Sequence, residues 1–426
     1  MRKPELLAPA GSLEVLKIAV EFGADAVYIG GEAFGLRAKA HNFSMEDMKE
    51  GIAFAHSRGV RVYVTANIFA HNDDLAGVRT YFIELKEIGP DALIISDPGV
   101  FSLAKEICPE IEIHISTQAN NTNYETYRFW HSLGAKRAVS ARELTFPELK
   151  ELREKIPADM ELETFVHGAM CISYSGRCLL SNYFTGRDAN RGSCTHPCRW
   201  KYAVVEETRP GEYLPVYENE RGTFLFNSKD LCMIEHIPEL IEAGIDSFKI
   251  EGRMKAALYV ATVTRTYREA IDDYLASPDL YEKNLPKYRK QITASTRRPF
   301  TTGFFFGRPD ATSQVYEEST YLRDYTYLGY VEELDREGRI RITQKNKFSV
   351  GERLELMRKN GEDEAVVVDS ITDKKGCALS SAPHAAQIVW VGLRRENDKT
   401  GECKIEIFDL LRREEKEEAC DESENS

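Results

Sequence analysis

Eight short apolar runs recur through the first 260 residues, each separated from the next by a segment with helical spacing. They are Glu5–Ala8, Ala26–Ile29, Arg61–Thr65, Ala92–Ile95, Glu112–Ser116, Arg137–Val139, Leu162–Val166 and Ser247–Ile250. Parallel strands need a crossover connection, so strand runs alternating with helices predict βαβ units. Ser12 before LEVLKIAVEF and Ser44 before Met-Glu-Asp offer side-chain oxygens to the free N–H groups of a first helical turn. Gly23, Gly59, Gly89, Gly134 and Gly244 stand where a helix would stop and the next strand begin. Eight units predict an α/β fold, a (β/α)8 TIM-like barrel. An open doubly wound sheet is the alternative, but no run is followed by a G-x-G-x-x-G turn.

In a barrel the strand C-termini form the face that carries chemistry. The polar residues there are Asn67, Asp97, Thr117, Gln118, Arg142, Glu143, His167, Glu251 and Arg253. Loops at that face are polar in any barrel, so position alone only nominates them.

One unit is abnormal. About 80 residues separate His167 from Ser247, far above an ordinary connection. The insertion, about 168–230, holds Cys171, Cys178, Cys194 and Cys198, and Cys232 follows it. Their spacing is C-x6-C-x15-C-x3-C-x33-C. It matches neither the C-x2-C pairs of a zinc ribbon nor a ferredoxin run. Four thiolates hold either zinc or an iron–sulfur cluster. Three readings therefore stand: a catalytic cluster, a structural metal staple, or unrelated buried thiols. Arg177, Arg187, Arg191 and Arg199 would offset thiolate charge and lower thiol pKa values. Cys232 follows Asn227-Ser228-Lys229-Asp230, which resembles a helix cap and predicts the thiol in a first helical turn, where backbone N–H groups favour thiolate. Cys108, Cys377 and Cys403 fit packing roles, and Cys420 falls in the tail.

Beyond the barrel, Ala257–Ala276 has an amphipathic helical pattern, and Pro278 and Pro286 argue against its continuing as one helix. From Tyr325 the pattern turns to short β runs, YTYLGYVEE, RIRIT, RLELM, AVVVDSI and QIVWVG. These predict a small antiparallel β-barrel. The predicted organisation is a barrel with α segments over 1–295, a linker over 296–324, the β domain over 325–410, and an acidic, disordered tail over 411–426. After Arg413 the tail has seven acids and one Lys, a large share of the net charge of −13. Such an acidic total argues against a non-specific nucleic-acid coat but leaves room for a local basic patch. At 42% hydrophobic residues the chain can bury a sizeable core. There is no apolar run near membrane length and no secretory h-region, so no membrane association and a cytoplasmic location are expected.

The stretch ETFVHGAMCISYSGRCLLS, followed by GRDANRGSC and PCRW, resembles the signature of the U32 (collagenase-like) peptidase family. ELLAPAGSLEVLKIAVEFGADAVYIGG, GLRAKAHNFS, NSKDLC and FKIEGRMK extend the resemblance from about residue 3 to 310, and the β domain looks like the family's C-terminal domain. The resemblance implies one of three activities. The first is prephenate-dependent hydroxylation of the tRNA wobble uridine to 5-hydroxyuridine. The alternatives are proteolysis and a cluster-binding subunit for hydroxylation in quinone synthesis. It also implies a [4Fe-4S] cluster on Cys171, Cys178 and Cys194, with the fourth ligand at Cys232 or Cys198. A homologous partner subunit is a further implication, as is a non-enzymatic RNA-binding or scaffold role within a complex.

No G-x-S-x-G elbow or H-E-x-x-H helix supports a peptidase, although His167 and His196 lie near cysteines. A hydroxylase of this kind needs Arg forks for the two carboxylates of prephenate, and Arg37, Arg142, Arg177 and Arg253 are the candidates. His167 and Glu251 are candidate acid or base residues. Anticodon-loop bases are held by stacking and by basic grooves. Tyr174, Tyr183, Phe184 and Trp200, interleaved with Arg187, Arg191, Arg199 and Lys201, fit that surface. Lys345, Lys347, Arg353, Arg358 and Lys359 of the β domain are candidate phosphate contacts.

Overall fold

The structure is a computed structural model that describes residues 2–32, 42–171, 173–175, 177–187, 189, 194–200, 203–205, 213–215, 229–307, 309, 322–396 and 404–415. Seven parallel strands follow one another: β1 (Glu5–Pro9), β2 (Ala26–Gly30), β3 (Arg61–Ala66), β4 (Ala92–Ile95), β5 (Glu112–Ile115), β6 (Arg137–Val139) and β7 (Glu161–Ala169). After β7 the insertion forms an antiparallel pair, β8 (Ala203–Val205) with β9 (Tyr213–Pro215), and returns as β10 (Asp230–Cys232). The eighth barrel strand, β11 (Ser247–Ile250), pairs with both β7 and β1 and closes the ring. The predicted barrel is therefore the fold.

Helices α1 (Leu13–Glu21), α2 (Met45–His56), α3 (Leu75–Ile88), α4 (Pro98–Ile107), α5 (Tyr124–Ser132) and α6 (Phe146–Lys155) connect the first seven strands. Their starts follow the sequence: Ser12 Oγ accepts the Val15 N–H at 3.3 Å and Ser44 Oγ the Asp47 N–H at 3.1 Å. Gly89 ends α3 at φ +67°, a left-handed conformation that favours glycine. Within the insertion lies the short α7 (Leu180–Thr185), and α8 (Ile237–Glu242) precedes β11. α9 (Ala257–Ala276) then runs 20 residues, most of them buried. Ser277 is extended and Pro278 opens a separate α10 (Pro278–Thr293), so the chain breaks where the prolines predict; Pro286 is accommodated inside α10.

The barrel interior is charged toward its N-terminal end. Arg137, 2% exposed, donates to Glu5 at 2.5 Å, Glu161 at 2.7 Å and Glu163 at 3.0 Å. Lys249 Nζ lies 2.7 Å from the other oxygen of Glu163, and Tyr63 OH donates to Glu5 at 2.6 Å. Burial pushes the Glu5 carboxyl up, but the charge and hydrogen bonds of Arg137 outweigh it and hold it at about 2. Above this floor Leu7, Ala26, Tyr28, Tyr63, Ala92 and Ile94 form an apolar layer.

Strands β12 (Phe300–Thr301), β13 (Tyr325–Tyr330), β14 (Glu333–Leu334), β15 (Ile340–Thr343), β16 (Phe348–Ser349), β17 (Arg353–Met357), β18 (Glu364–Thr372), β19 (Ala378–Leu379), β20 (Ser381–Ala382), β21 (Ile388–Arg395) and β22 (Leu410–Glu414) complete the chain. From β13 onward most form an antiparallel sheet in the order β13-β22-β17-β18-β21-β15-β14, with β19 beside β18, while β16 and β20 pair as a separate ribbon. Lys345 N–H donates to Leu328 O at 2.9 Å and brings the end of β15 back to β13, so the sheet curls on itself.

Two predicted boundaries shift. The expected tail from residue 411 is strand to Glu414, because Leu410 and Leu411 are buried between β13 and β17; the acidic run beyond 415 lies outside the described residues. The expected linker begins as structure: β12 pairs with β10, and Phe305 packs on Phe146 with ring centroids 4.9 Å apart.

The sheet is docked on α9. Arg265 grips Asp363 through two hydrogen bonds of 2.6 and 2.9 Å, and Arg412 reaches the same carboxylate at 3.0 Å. Among the described residues no helix is long and apolar enough to cross a membrane.

Truncating one partner of a buried ion network leaves the others uncompensated. Arg137→Ala is expected to cost about 3–5 kcal/mol, read as a lower urea midpoint. An unchanged midpoint would show that Glu5 and Glu163 do not depend on it.

Candidate functional site at the barrel mouth

β7 is longer than its neighbours because its last three residues pair antiparallel with β10. Asp230 faces Ala169, Leu231 faces Gly168 and Cys232 faces His167. That clamp anchors the insertion to the C-terminal face. Asn120, after β5, adds a second tie: its Nδ2 donates to Ser175 O at 3.2 Å and its Oδ1 accepts Arg177 Nε–H at 2.7 Å. Asn120 takes φ +55°, which its short polar side chain tolerates.

Three of the four predicted arginines are described, and Arg37 lies outside the described residues. Arg253 is 6% exposed and its Nη1 donates to Thr65 Oγ1 at 2.7 Å. It crosses the mouth only because Gly30 lacks a side chain: a Cβ there would lie 2.1 Å from Nη1. Gly11 serves the backbone in the same way, since a Cβ would meet Arg253 O at 2.0 Å. Arg142 donates from Nη1 to Ala169 O at 2.8 Å, stacks over Phe165 at 4.0 Å, and lies 4.0 Å from Cys171 Sγ. Arg177 is exposed and is held by Asn120. Glu251 is buried, with Tyr28 OH 3.3 Å from its Oε2.

His167 is placed differently from the sequence expectation of an acid or base. It is 1% exposed and faces α9, among Tyr259, Tyr267 and Phe300 with ring centroids 5.6–6.0 Å away. Tyr267 OH lies 3.5 Å from its Nδ1 and also donates to Val166 O at 2.8 Å. Burial, aided by the charge of Lys255, lowers the imidazole pKa to about 3. It is a neutral positioning residue that packs β7 against α9.

Cys171 and Cys194 are exposed, and Cys178, Cys198 and Cys232 are half-buried. Cys194 Sγ accepts the His196 N–H at 3.4 Å. Cys171 Sγ lies 4.0 Å from the Arg142 guanidinium. The donor set thus suits a soft metal centre in kind. In position, no three His, Cys, Asp or Glu side chains among the described residues are drawn close enough to share a metal ion. Cys232 corrects its expectation. It ends strand β10 and is not in a helix, and burial pushes its thiol up to about 12.

The predicted RNA-binding side chains are exposed where described. Tyr174 is 46%, Tyr183 82% and Trp200 45% exposed, and Arg187 is exposed as well. Phe184 bridges Tyr183 and Trp200 with centroid separations of 5.1 and 6.2 Å. Arg191 and Lys201 lie outside the described residues. Most of the basic residues proposed in the β domain prove to be paired: Lys345 with Glu14, Arg353 with Glu396, Arg358 with Glu364 and Lys359 with Glu21.

Comparison with known proteins bears on what this mouth does. Peptidase family U32 matches residues 11–315, and the U32 C-terminal domain matches residues 323–412. The chain belongs to peptidase family U32. A U32 relative from Bacillus subtilis, named tRNA hydroxylation protein P1, is 42% identical over 91% of each chain. One from Escherichia coli, tRNA hydroxylation protein P, is 39% identical over 92% of this chain and 94% of that one. An uncharacterized protease of Methanocaldococcus jannaschii is 45% identical over 71% of this chain and 73% of its own length. The boundary between the two U32 matches falls between the barrel with its helices and the antiparallel sheet.

Sequence reasoning missed Asn120, Thr65, Tyr28 and Gly30. Asn120 and Thr65 sit at strand ends and were legible as polar mouth residues; Gly30 is explained only by the side chain that crosses it.

The low pKa of His167 has a sign. The unfolded chain takes up a proton near the ordinary value of 6.5 and the native chain does not, so stability is present above pH 6.5 and is lost as pH falls toward 3. The slope contributed is up to about 1.4 kcal/mol per pH unit. His167→Gln is expected to flatten that part of the stability profile in urea titrations; an unchanged profile would mean that His167 titrates normally.

Proposed function

We propose that this U32 member is a tRNA-modifying enzyme that hydroxylates C5 of the wobble uridine, giving 5-hydroxyuridine, with prephenate as co-substrate. The observation that carries this reading is the identity of 42 and 39%, over about nine-tenths of each chain, to two proteins named for tRNA hydroxylation. The site is compatible in chemistry. Converting C5–H to C5–OH is a two-electron oxidation, so an electron acceptor and an oxygen donor must reach the mouth together with the tRNA. Cys171, Cys178 and Cys194, with Cys232 or Cys198 as the fourth ligand, would hold a [4Fe-4S] cluster that supplies one-electron chemistry when bound. Arg142 beside Cys171 offsets negative charge at that place. Arg253 and Arg177 present cations to carboxylates at the mouth. Tyr174, Tyr183 and Trp200 offer stacking faces for unpaired anticodon bases. Acting on tRNA puts the enzyme in the cytoplasm.

A cysteine peptidase needs a thiolate paired with a histidine. His167 is buried among Tyr259, Tyr267 and Phe300, and His196 meets Cys194 Sγ through its backbone N–H.

The test is nucleoside analysis of tRNA from a strain lacking this gene and any paralogue. The 5-hydroxyuridine family is expected to disappear, to return with the wild-type chain, and to stay absent with Cys171→Ser. Unchanged hydroxyuridine in the deletion strain would remove the assignment.

A further inference from the structure

A cleft of about 520 Å³ runs between the barrel and the C-terminal sheet, beside the mouth but outside the ring. We propose that it is a binding site for the phosphodiester backbone of the RNA substrate, a claim that rests on the function proposed above. Four cations from three parts of the chain line it: Arg253 and Lys255 in the turn after β11, Arg323 before β13 and Lys345 after β15. Among the described residues the single acid of the lining is Glu14, 2.6 Å from Lys345 Nζ and 3.0 Å from Tyr327 OH; that ion pair cancels, and the excess positive charge is that of Arg253, Lys255 and Arg323. In a chain with a net charge of −13 this is a local reversal of sign.

The backbone adds to it. α1 and α9 both begin at the cleft, where Ser12 and Ala256 precede their first turns. α9 runs 20 residues and no side chain caps its start. The aligned peptide dipoles of such a helix place partial positive charge, and N–H donors, toward an anion. Position favours a polymer over a small ligand. Arg253 lines the cleft and its guanidinium reaches Thr65 inside the mouth, so one strand lying in the cleft continues directly to the reacting face. The two domains each supply part of the wall, which explains why the sheet is fixed to α9 by Arg265 and Asp363.

The experiment is tRNA binding by fluorescence anisotropy over a range of salt, with the full chain. The double variant Lys255→Ala, Arg323→Ala is compared with the equal-charge control Lys374→Ala, Lys375→Ala on an exposed turn, and thermal melts confirm that both fold. Removing one phosphate-binding cation flattens the slope of log affinity against log salt by about 0.7–0.9. The cleft variant is expected to lose about 1.4–1.8 of slope and to bind about tenfold more weakly at ~150 mM salt, with the control at wild-type values. Equal slopes for cleft variant and wild type, with tRNA bound by both, would overturn the cleft assignment alone. Failure of the wild type to bind any tRNA would overturn both this assignment and the function on which it rests.

Discussion

The buried ion network of Arg137, Glu163, Lys249 and Glu5 is the constraint on which the rest of the barrel depends. Its members come from β1, β6, β7 and β11, so it ties together strands far apart in sequence on the side where the ring closes. Charges removed from water are tolerated only when paired and hydrogen-bonded. Any slip in register would leave at least one of them alone, so the network specifies the closure as much as it stabilises it. Lys249 also lies 4.5 Å from the centre of the Tyr28 ring, which links the charged floor to the apolar layer above.

From that floor the chain builds upward to an uneven mouth. β7 continues past its neighbours, pairs with β10, and packs its far side on α9 through His167, Tyr259 and Tyr267. The insertion therefore leaves from a rigid corner of the ring. α9 is the common spine: it packs on β1 and α1, its Tyr267 OH reaches Val166 O of β7, and its Arg265 holds the C-terminal sheet. Mouth and second domain are thus held by one helix, and the described start and end of the insertion are tied to β7 and Asn120.

The strands were legible because their residues are short apolar runs with a helix between each pair, and the observed ranges differ from those runs by at most a few residues. The helix starts at Ser12 and Ser44 were legible because capping is local. Three things were not. The direction of His167 depends on the irregular register between Lys249 and Ile250, which no local pattern encodes. The placement of Cys232 in a strand depends on β7 offering an edge beyond the ring. The fate of the β-domain lysines and arginines depends on partners such as Glu14 and Glu21 more than three hundred residues earlier in the chain. The charged interior was hidden for a related reason: Glu163 and Lys249 read as polar exceptions within strands until the fold brings them to 2.7 Å.

The proposed function rests on a redox centre held by the thiols of the insertion, which the described side chains do not draw within reach of one metal ion. Its most direct measurement is the iron and acid-labile sulfide content of the chain purified without oxygen, with its visible and electron paramagnetic resonance spectra. About four iron and four sulfide per chain, lost in Cys171→Ser and Cys194→Ser, is the expected result. Stoichiometric zinc, or no metal in a folded chain that still modifies tRNA, would contradict it.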